Sequence, residues 1–136
     1  MIREPEVKTI FGNSGPYLTR VTWGRLRLHV FHRVDEDPDC HDHPADFWTF
    51  PLVSYVEEYR AADGSLRERP VRAFRLHRRR AEFAHRVRRA LHHDDGQILT
   101  IVWWGRSRRA WGFHTGDGWV PWRTYIAAQA EGADHA

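Results

Sequence analysis

The chain has 136 residues, enough for one hydrophobic core and too few for two independent domains. Hydrophobic residues make up 41% of it, with 7 Trp, 7 Phe and 4 Tyr, which excludes a chain too polar to fold. Eighteen acidic residues nearly offset 21 basic ones, leaving +3 at pH 7; the pI is about 9.5, but no helix-turn-helix, zinc-finger or RNP-like pattern accompanies the arginine clusters, so no nucleic-acid partner is expected.

The first strong alternation is Val21-Thr22-Trp23, followed by Leu26-Arg27-Leu28-His29-Val30-Phe31-His32, which reads as strand with Leu26, Leu28 and Val30 on one face. Asp35 to Asp39 is an acidic loop. Further β-like runs are Phe47 to Tyr59, Val71 to His77, His85 to Val87, Ile98 to Trp104 and Ala110 to His114. Between them, Ala61-Ala62-Asp63-Gly64-Ser65 carries an Asp-Gly hairpin signal, and Asp94-Asp95-Gly96 and Gly116-Asp117-Gly118 mark turns. Short strands with frequent turns predict an antiparallel sandwich or barrel over residues 1–126 as a single domain. A helix is expected only near Tyr125 to Ala130, and residues 127–136, small and polar, read as a flexible tail.

No run approaches the roughly 18 apolar residues of a membrane span, and the charged opening Met1 to Glu6 is unlike a signal peptide, so no membrane partner and a cytoplasmic location are expected. Cys40 is the only cysteine, which removes any intramolecular disulfide. It is expected as a buried thiol, although its place before His41 leaves a role at a site open.

Cys40-His41-Asp42-His43-Pro44 places two imidazoles at i and i+2, on one face of an extended chain about 6–7 Å apart. Metal–nitrogen bonds of roughly 2.0–2.1 Å can draw such a pair onto one ion. The best third ligand is His85, which begins a short extended run in Glu82-Phe83-Ala84-His85-Arg86-Val87. Three neutral imidazoles leave positions open for water or substrate, the arrangement of a working metal. Asp42, Asp46 and Glu57 are the carboxylates nearby in sequence that could orient the ligand rings. Ten histidines occur in the chain, so one His-x-His pair does not decide the matter alone. Most of the others read as surface or core residues; His29 and His114 are the two that could serve as acid or base.

Alternative catalytic schemes lack their signatures: there is no Gly-x-Ser-x-Gly elbow, phosphate loop, dinucleotide fingerprint or Cys-x-x-Cys. Glu57 and Glu58 are adjacent strand residues pointing to opposite faces, so they cannot act on one bond.

His41-Asp42-His43-Pro44 followed by His85 across a β-rich stretch resembles the two motifs of the cupin superfamily. More narrowly, Tyr17-Leu18-Thr19-Arg20, Leu28-His29, Asp46-Phe47-Trp48, His85-Arg86, Trp111-Gly112-Phe113-His114 and Gly118-Trp119-Val120 are similar to small bacterial and phage cupin-like proteins. The resemblance, running from about Tyr17 to Tyr125, implies an antiparallel jelly-roll β-barrel. Many cupins add a glutamate four or five residues after the second histidine, where Phe47 and Trp48 stand here. A three-histidine site follows, similar to that of thiol dioxygenases, with Asp46 or Glu57 open as a fourth ligand. The glycines that often close the first motif are also missing, and Pro51 predicts a bulge or an edge strand.

These observations lead to a metalloenzyme holding one divalent ion, Fe(II) favoured and Zn, Ni, Mn or Cu compatible, and acting on a small organic substrate by oxygenase, isomerase or lyase chemistry. Trp48, Phe50, Trp103 and Trp104 are expected to wall the pocket and Arg86 to pair with a substrate carboxylate. A binding module without turnover is the alternative. A homodimer, with Trp119-Val120-Pro121-Trp122 as an exposed contact, is compatible with either.

Overall fold

The computed structural model describes residues 4–12, 15–35, 38–91 and 97–134, with the side chains of the last segment as far as Gln129. Over these residues the chain runs β1 (Glu6–Gly12), β2 (Gly15–Trp23), β3 (Leu26–Phe31), β4 (Cys40–His41), β5 (Phe47–Pro51), β6 (Tyr55–Arg60), β7 (Leu66–Val71), β8 (His77–Arg79), β9 (His85–Ala90), β10 (Ile98–Trp104), β11 (Gly112–Thr115), β12 (Gly118–Pro121) and α1 (Trp122–Asp134). Two six-stranded sheets result, ordered β1-β2-β3-β10-β5-β8 and β12-β11-β4-β9-β6-β7, with neighbouring strands paired antiparallel. This is the cupin-type jelly-roll barrel expected from the motifs.

Strand parity sets which side chains enter the barrel. In the first sheet the buried residues Leu18, His29, Phe47, Thr49, Ile98, Thr100 and Val102 fall on one face. From the second sheet come Tyr55, Glu57, Val71, His85, Val87 and Ala90. At one end, Tyr55, Val71, Val87, Ala90 and Ile98 pack together with Phe31 and Val53 against them. Full burial of each large apolar side chain contributes roughly 1.5–3 kcal/mol. At the other end of β9 and β10 stand His85 and Trp104, and there the filling becomes polar.

Several expectations are revised. Leu26, Leu28 and Val30 do share a face, but it is the outer one: Leu26 is 38% exposed while His29, on the opposite face, is buried. The run Phe47 to Tyr59 is two strands, parted at Leu52 to Ser54. Val71 to His77 is mostly a connection, turned by Phe74 at φ 60° and pinned by its N–H to the Pro51 carbonyl. Pro51 is tolerated because it ends β5, beyond the residues that pair with β8. Residues 127–134 continue α1 rather than fraying. The helix is held by tertiary stacking, Trp122 on Trp111 and Tyr125 on Phe113 with ring centroids 5.5 and 3.8 Å apart, and by Tyr125 Oη donating to Asp39. Both flanking hairpins form as read, with Gly64 and Gly118 at positive φ. Glu36, Asp37, His92, His93, the turn Asp94-Asp95-Gly96 and His135 lie outside the described residues.

Candidate metal centre

β4 is only two residues long, yet it lies between β9 and β11 in the middle of its sheet. His41 stands directly across from His85 on one side and Phe113 on the other, which puts both imidazoles on the same face. His43 follows the strand: its N–H donates to the Ala81 carbonyl and its own carbonyl accepts from Arg109. Its ring packs 4.7 Å from Phe47 and 6.0 Å from Trp104. The three rings form a near-equilateral triangle with centroid separations of 5.2, 5.1 and 5.0 Å. One nitrogen from each lies within 4.8 Å of the others. Bonds of about 2.1 Å to a common centre need nitrogens about 3–3.5 Å apart, a closure that small ring rotations supply.

Burial, reinforced by neighbouring His85, pushes His41 down to about 3. Burial also holds His43 well below the ordinary histidine range, with His85 and His41 adding to it. His41 and His43 therefore present neutral imidazoles at neutral pH, the form that binds metal.

Glu57 fixes the third ring. It is wholly buried, and its Oε1 accepts from His85 Nδ1 at 2.7 Å while Oε2 accepts from Arg69 Nε at 2.8 Å and Arg79 Nη2 at 3.0 Å. Burial alone would raise its pKa, but the bond to His85 and the charges of Arg79 and Arg69 hold it at about 2. A carboxylate only accepts, so Nδ1 of His85 carries a proton and Nε2 is the nitrogen left for a metal. His43 Nδ1 is buried without a hydrogen-bond partner, a nitrogen that a bound ion would satisfy. The donor set fits one divalent metal, and among the described residues no carboxylate joins the cluster.

Asp42, between His41 and His43, points away from them. Its Oδ1 accepts from Gly112 N–H at 2.8 Å and pairs with Arg109 Nη1 at 3.1 Å; its Oδ2 accepts from His114 Nε2 at 2.9 Å and Trp119 Nε1 at 3.0 Å. It ties β4 to the β11–β12 hairpin. Gly112 makes this possible, since a Cβ there would overlap the Val120 carbonyl and come within 2.9 Å of Trp119.

The remaining sequence candidates fall elsewhere. His114 serves the Asp42 clamp, on the face opposite Phe113. His29 is 7% exposed on β3 and lies outside the three-histidine cluster. Burial and the charges of Arg20 and Arg27 take it to about 3, too weak a base for proton transfer at neutral pH. Trp48 and Trp103 do not wall the pocket: they are 41% and 50% exposed, because Phe47 and Thr49 take the inward parity of β5 and Val102 that of β10. Arg86 does not face the interior either; its Nε donates to Glu58 Oε1 at 2.9 Å, each side chain 14% exposed. Asp46 is held by Ala81 N–H and Arg108, away from the histidines. Cys40 is buried against the Glu58 carbonyl, its thiol pushed up to about 11 by burial and then by Glu58.

Sequence reasoning missed Arg69, Arg79 and Phe83. Arg69 could have been found by counting outward from the Asp-Gly turn, which pairs it with Glu57. Phe83 lies 5.6 Å from the His85 ring, with the Arg69 and Arg79 guanidiniums 5.2 and 5.0 Å from its centroid.

No protein-family model matches the chain, and no curated protein does. Solved structures do. The Fe(II) form of HppE with the alternative substrate (S)-1-HPP superposes on 75% of this chain with a TM-score of 0.56 at 12% identity. Hydroxypropylphosphonic acid epoxidase from S. wedmorenis gives 0.53 at 12% over the same share. A cupin domain from Bordetella pertussis Tohama I is covered over 100% of its length, with 78% of this chain, at 11% identity and a TM-score of 0.44. The chain has a cupin-type jelly-roll fold. It spans 56% of the length of each of the first two of these proteins, and its identity to them is low enough that the likeness is one of architecture. Among its described residues no helix is long and apolar enough to cross a membrane.

Proposed function

We propose that this cupin is a metal-dependent enzyme that holds one divalent ion on His41, His43 and His85 and acts on a small organic substrate inside the barrel. Fe(II) is the favoured ion, and oxygenase, isomerase or lyase chemistry the reaction class. The observation behind this reading is the convergence of three imidazoles whose ligand nitrogens lie within 4.8 Å, unaccompanied by a protein carboxylate among the described residues. A closed structural site fills its coordination positions with protein; three ligands leave room for exchange. An ion bound there supplies Lewis acidity and, for iron, a redox couple.

The chain's own residues do the rest. Glu57 holds His85 in one tautomer, Arg69 and Arg79 keep Glu57 ionised, and the rings of Phe47, Trp104, Trp111 and Phe113 surround His41 and His43, restricting water. The structural neighbours, an Fe(II) protein and an epoxidase, support iron and oxidative chemistry.

The test is metal quantification by mass spectrometry in untagged protein purified without chelator, beside a His41→Ala/His43→Ala variant. About one equivalent, lost in the variant, is expected. Sub-stoichiometric metal in both after loading with iron(II), zinc and nickel would sink the metal reading. One equivalent with no turnover of any substrate would favour the binding module.

A further inference from the structure

The inward face of the first sheet carries two guanidiniums where a barrel core is expected. Arg20 on β2 pairs across the strand with His29 on β3, and Arg27 on β3 with Thr22 on β2 and Val102 on β10. Their row-mates His29, Thr100, Val102 and Thr49 are all buried. Burial depresses both arginines below their ordinary range, and Arg20 further depresses Arg27. Among the described residues no carboxylate pairs with either, and the Nε of each is buried without an acceptor. Both side chains are half-buried, so water reaches part of each fork, but the buried Nε of each lacks an acceptor that an anion would supply.

The imbalance extends beyond the pair. His29 Nε2, Trp104 Nε1 and Arg79 Nε are also buried without partners. The Arg27 guanidinium lies 5.1 Å from the centroid of Trp104, whose ring is 6.0 Å from that of His43. A single aromatic side chain therefore separates the Arg27 guanidinium from His43 of the candidate metal centre. Around it several buried N–H donors lack acceptors among the described residues, and a planar fork held against a ring is well suited to bidentate capture of an oxyanion.

We propose that Arg20 and Arg27, with the ring nitrogens of His29 and Trp104 beside them, form an oxyanion subsite inside the barrel, and that the substrate is a small organic acid whose carboxylate or phospho group docks there. The link to substrate rests on the reading of the histidine cluster as a reaction centre; the anion site itself does not require metal.

The experiment is calorimetric titration of the zinc-loaded and metal-free protein with inorganic phosphate and, separately, with propionate. Wild type is compared with Arg20→Met, Arg27→Met, His41→Ala/His43→Ala and, as a control on the outer face beside Trp48, Arg78→Met. Saturable binding of at least one anion is expected, weakened about tenfold or more by either inward arginine substitution and unaffected by Arg78→Met. Should Arg20→Met or Arg27→Met fail to fold, Arg→Lys at the same position, which keeps the charge and loses the fork, is expected to bind more weakly than wild type. Binding that survives removal of both arginines, binding lost only with the histidines, or no binding of either anion would overturn the subsite. Anion binding by protein that takes up no zinc would sustain the subsite while removing the metal reading.

Discussion

The two sheets that face each other across this barrel treat buried charge in opposite ways. In the second sheet, Glu57 is surrounded by His85, Arg69 and, reaching across from β8 of the first sheet, Arg79, and Asp42 by four donors. In the first, Arg20 and Arg27 face inward with no carboxylate to meet them among the described residues, and His29 has an unpartnered ring nitrogen. A buried charge with its partners is a fixed scaffold, whereas one without them is a place prepared for something else. The contrast separates the groups that hold the three-histidine cluster still from those available to a ligand.

Glu57→Gln should break that contrast most severely, by making the second sheet resemble the first. It leaves Arg69 and Arg79 uncompensated beside a wholly buried amide, and unfolding in urea should show a loss of about 3–5 kcal/mol. Metal affinity, measured by competition with a chromophoric chelator, should fall roughly 10- to 100-fold as His85 loses its fixed tautomer.

Acid should act on both sheets at once. His29 and His41 have folded pKa values near 3 against 6.5 unperturbed, so between those values the unfolded chain binds more protons and stability falls as pH falls. Glu57, at about 2 against 4.5, contributes above pH 4.5 and that contribution is lost toward pH 2. The urea midpoint of metal-free protein should therefore decline from pH 6.5 downward and more steeply below 4.5, and His29→Asn should flatten the upper part.

Arg27→Met sharpens the comparison from the other side. In anion-free buffer, removing an uncompensated charge while keeping the stem should leave stability unchanged or raise it by about 1 kcal/mol; a loss of several kcal/mol would show the guanidinium to be structural. The smallest effect belongs to the exposed Trp48: Trp48→Ala should change stability by about 0.5 kcal/mol or less and leave metal stoichiometry intact.

Legibility in the sequence followed the range of the interaction. Strands with period-two patterns and the Asp-Gly hairpin were readable because alternation and turn chemistry are local. β1 and β12 were missed because most of their residues are exposed, leaving no apolar beat. The clustering of His41, His43 and His85 was foreshadowed by the His-x-His spacing and the cupin resemblance. Their support was not, since Glu57 and His85 are 28 residues apart and only pairing brings them together. Trp48, Trp103 and Arg86 were assigned by residue type, and each proved to have the wrong strand parity or an existing partner. Arg20 and Arg27 escaped notice for the converse reason: an arginine alternating with leucines reads as the wet side of a strand, and here that side is the interior.

Gly112 has a consequence for ancestry. Histidines are common enough in this chain that individual ones can drift without erasing the barrel, but position 112 tolerates no side chain, because Asp42 must receive its N–H and Val120 closes over it. Lineages that keep the clamp are expected to keep the aspartate and the glycine as a pair, changing both or neither. A search for distant kin weighted on that pair would not depend on the imidazoles at all.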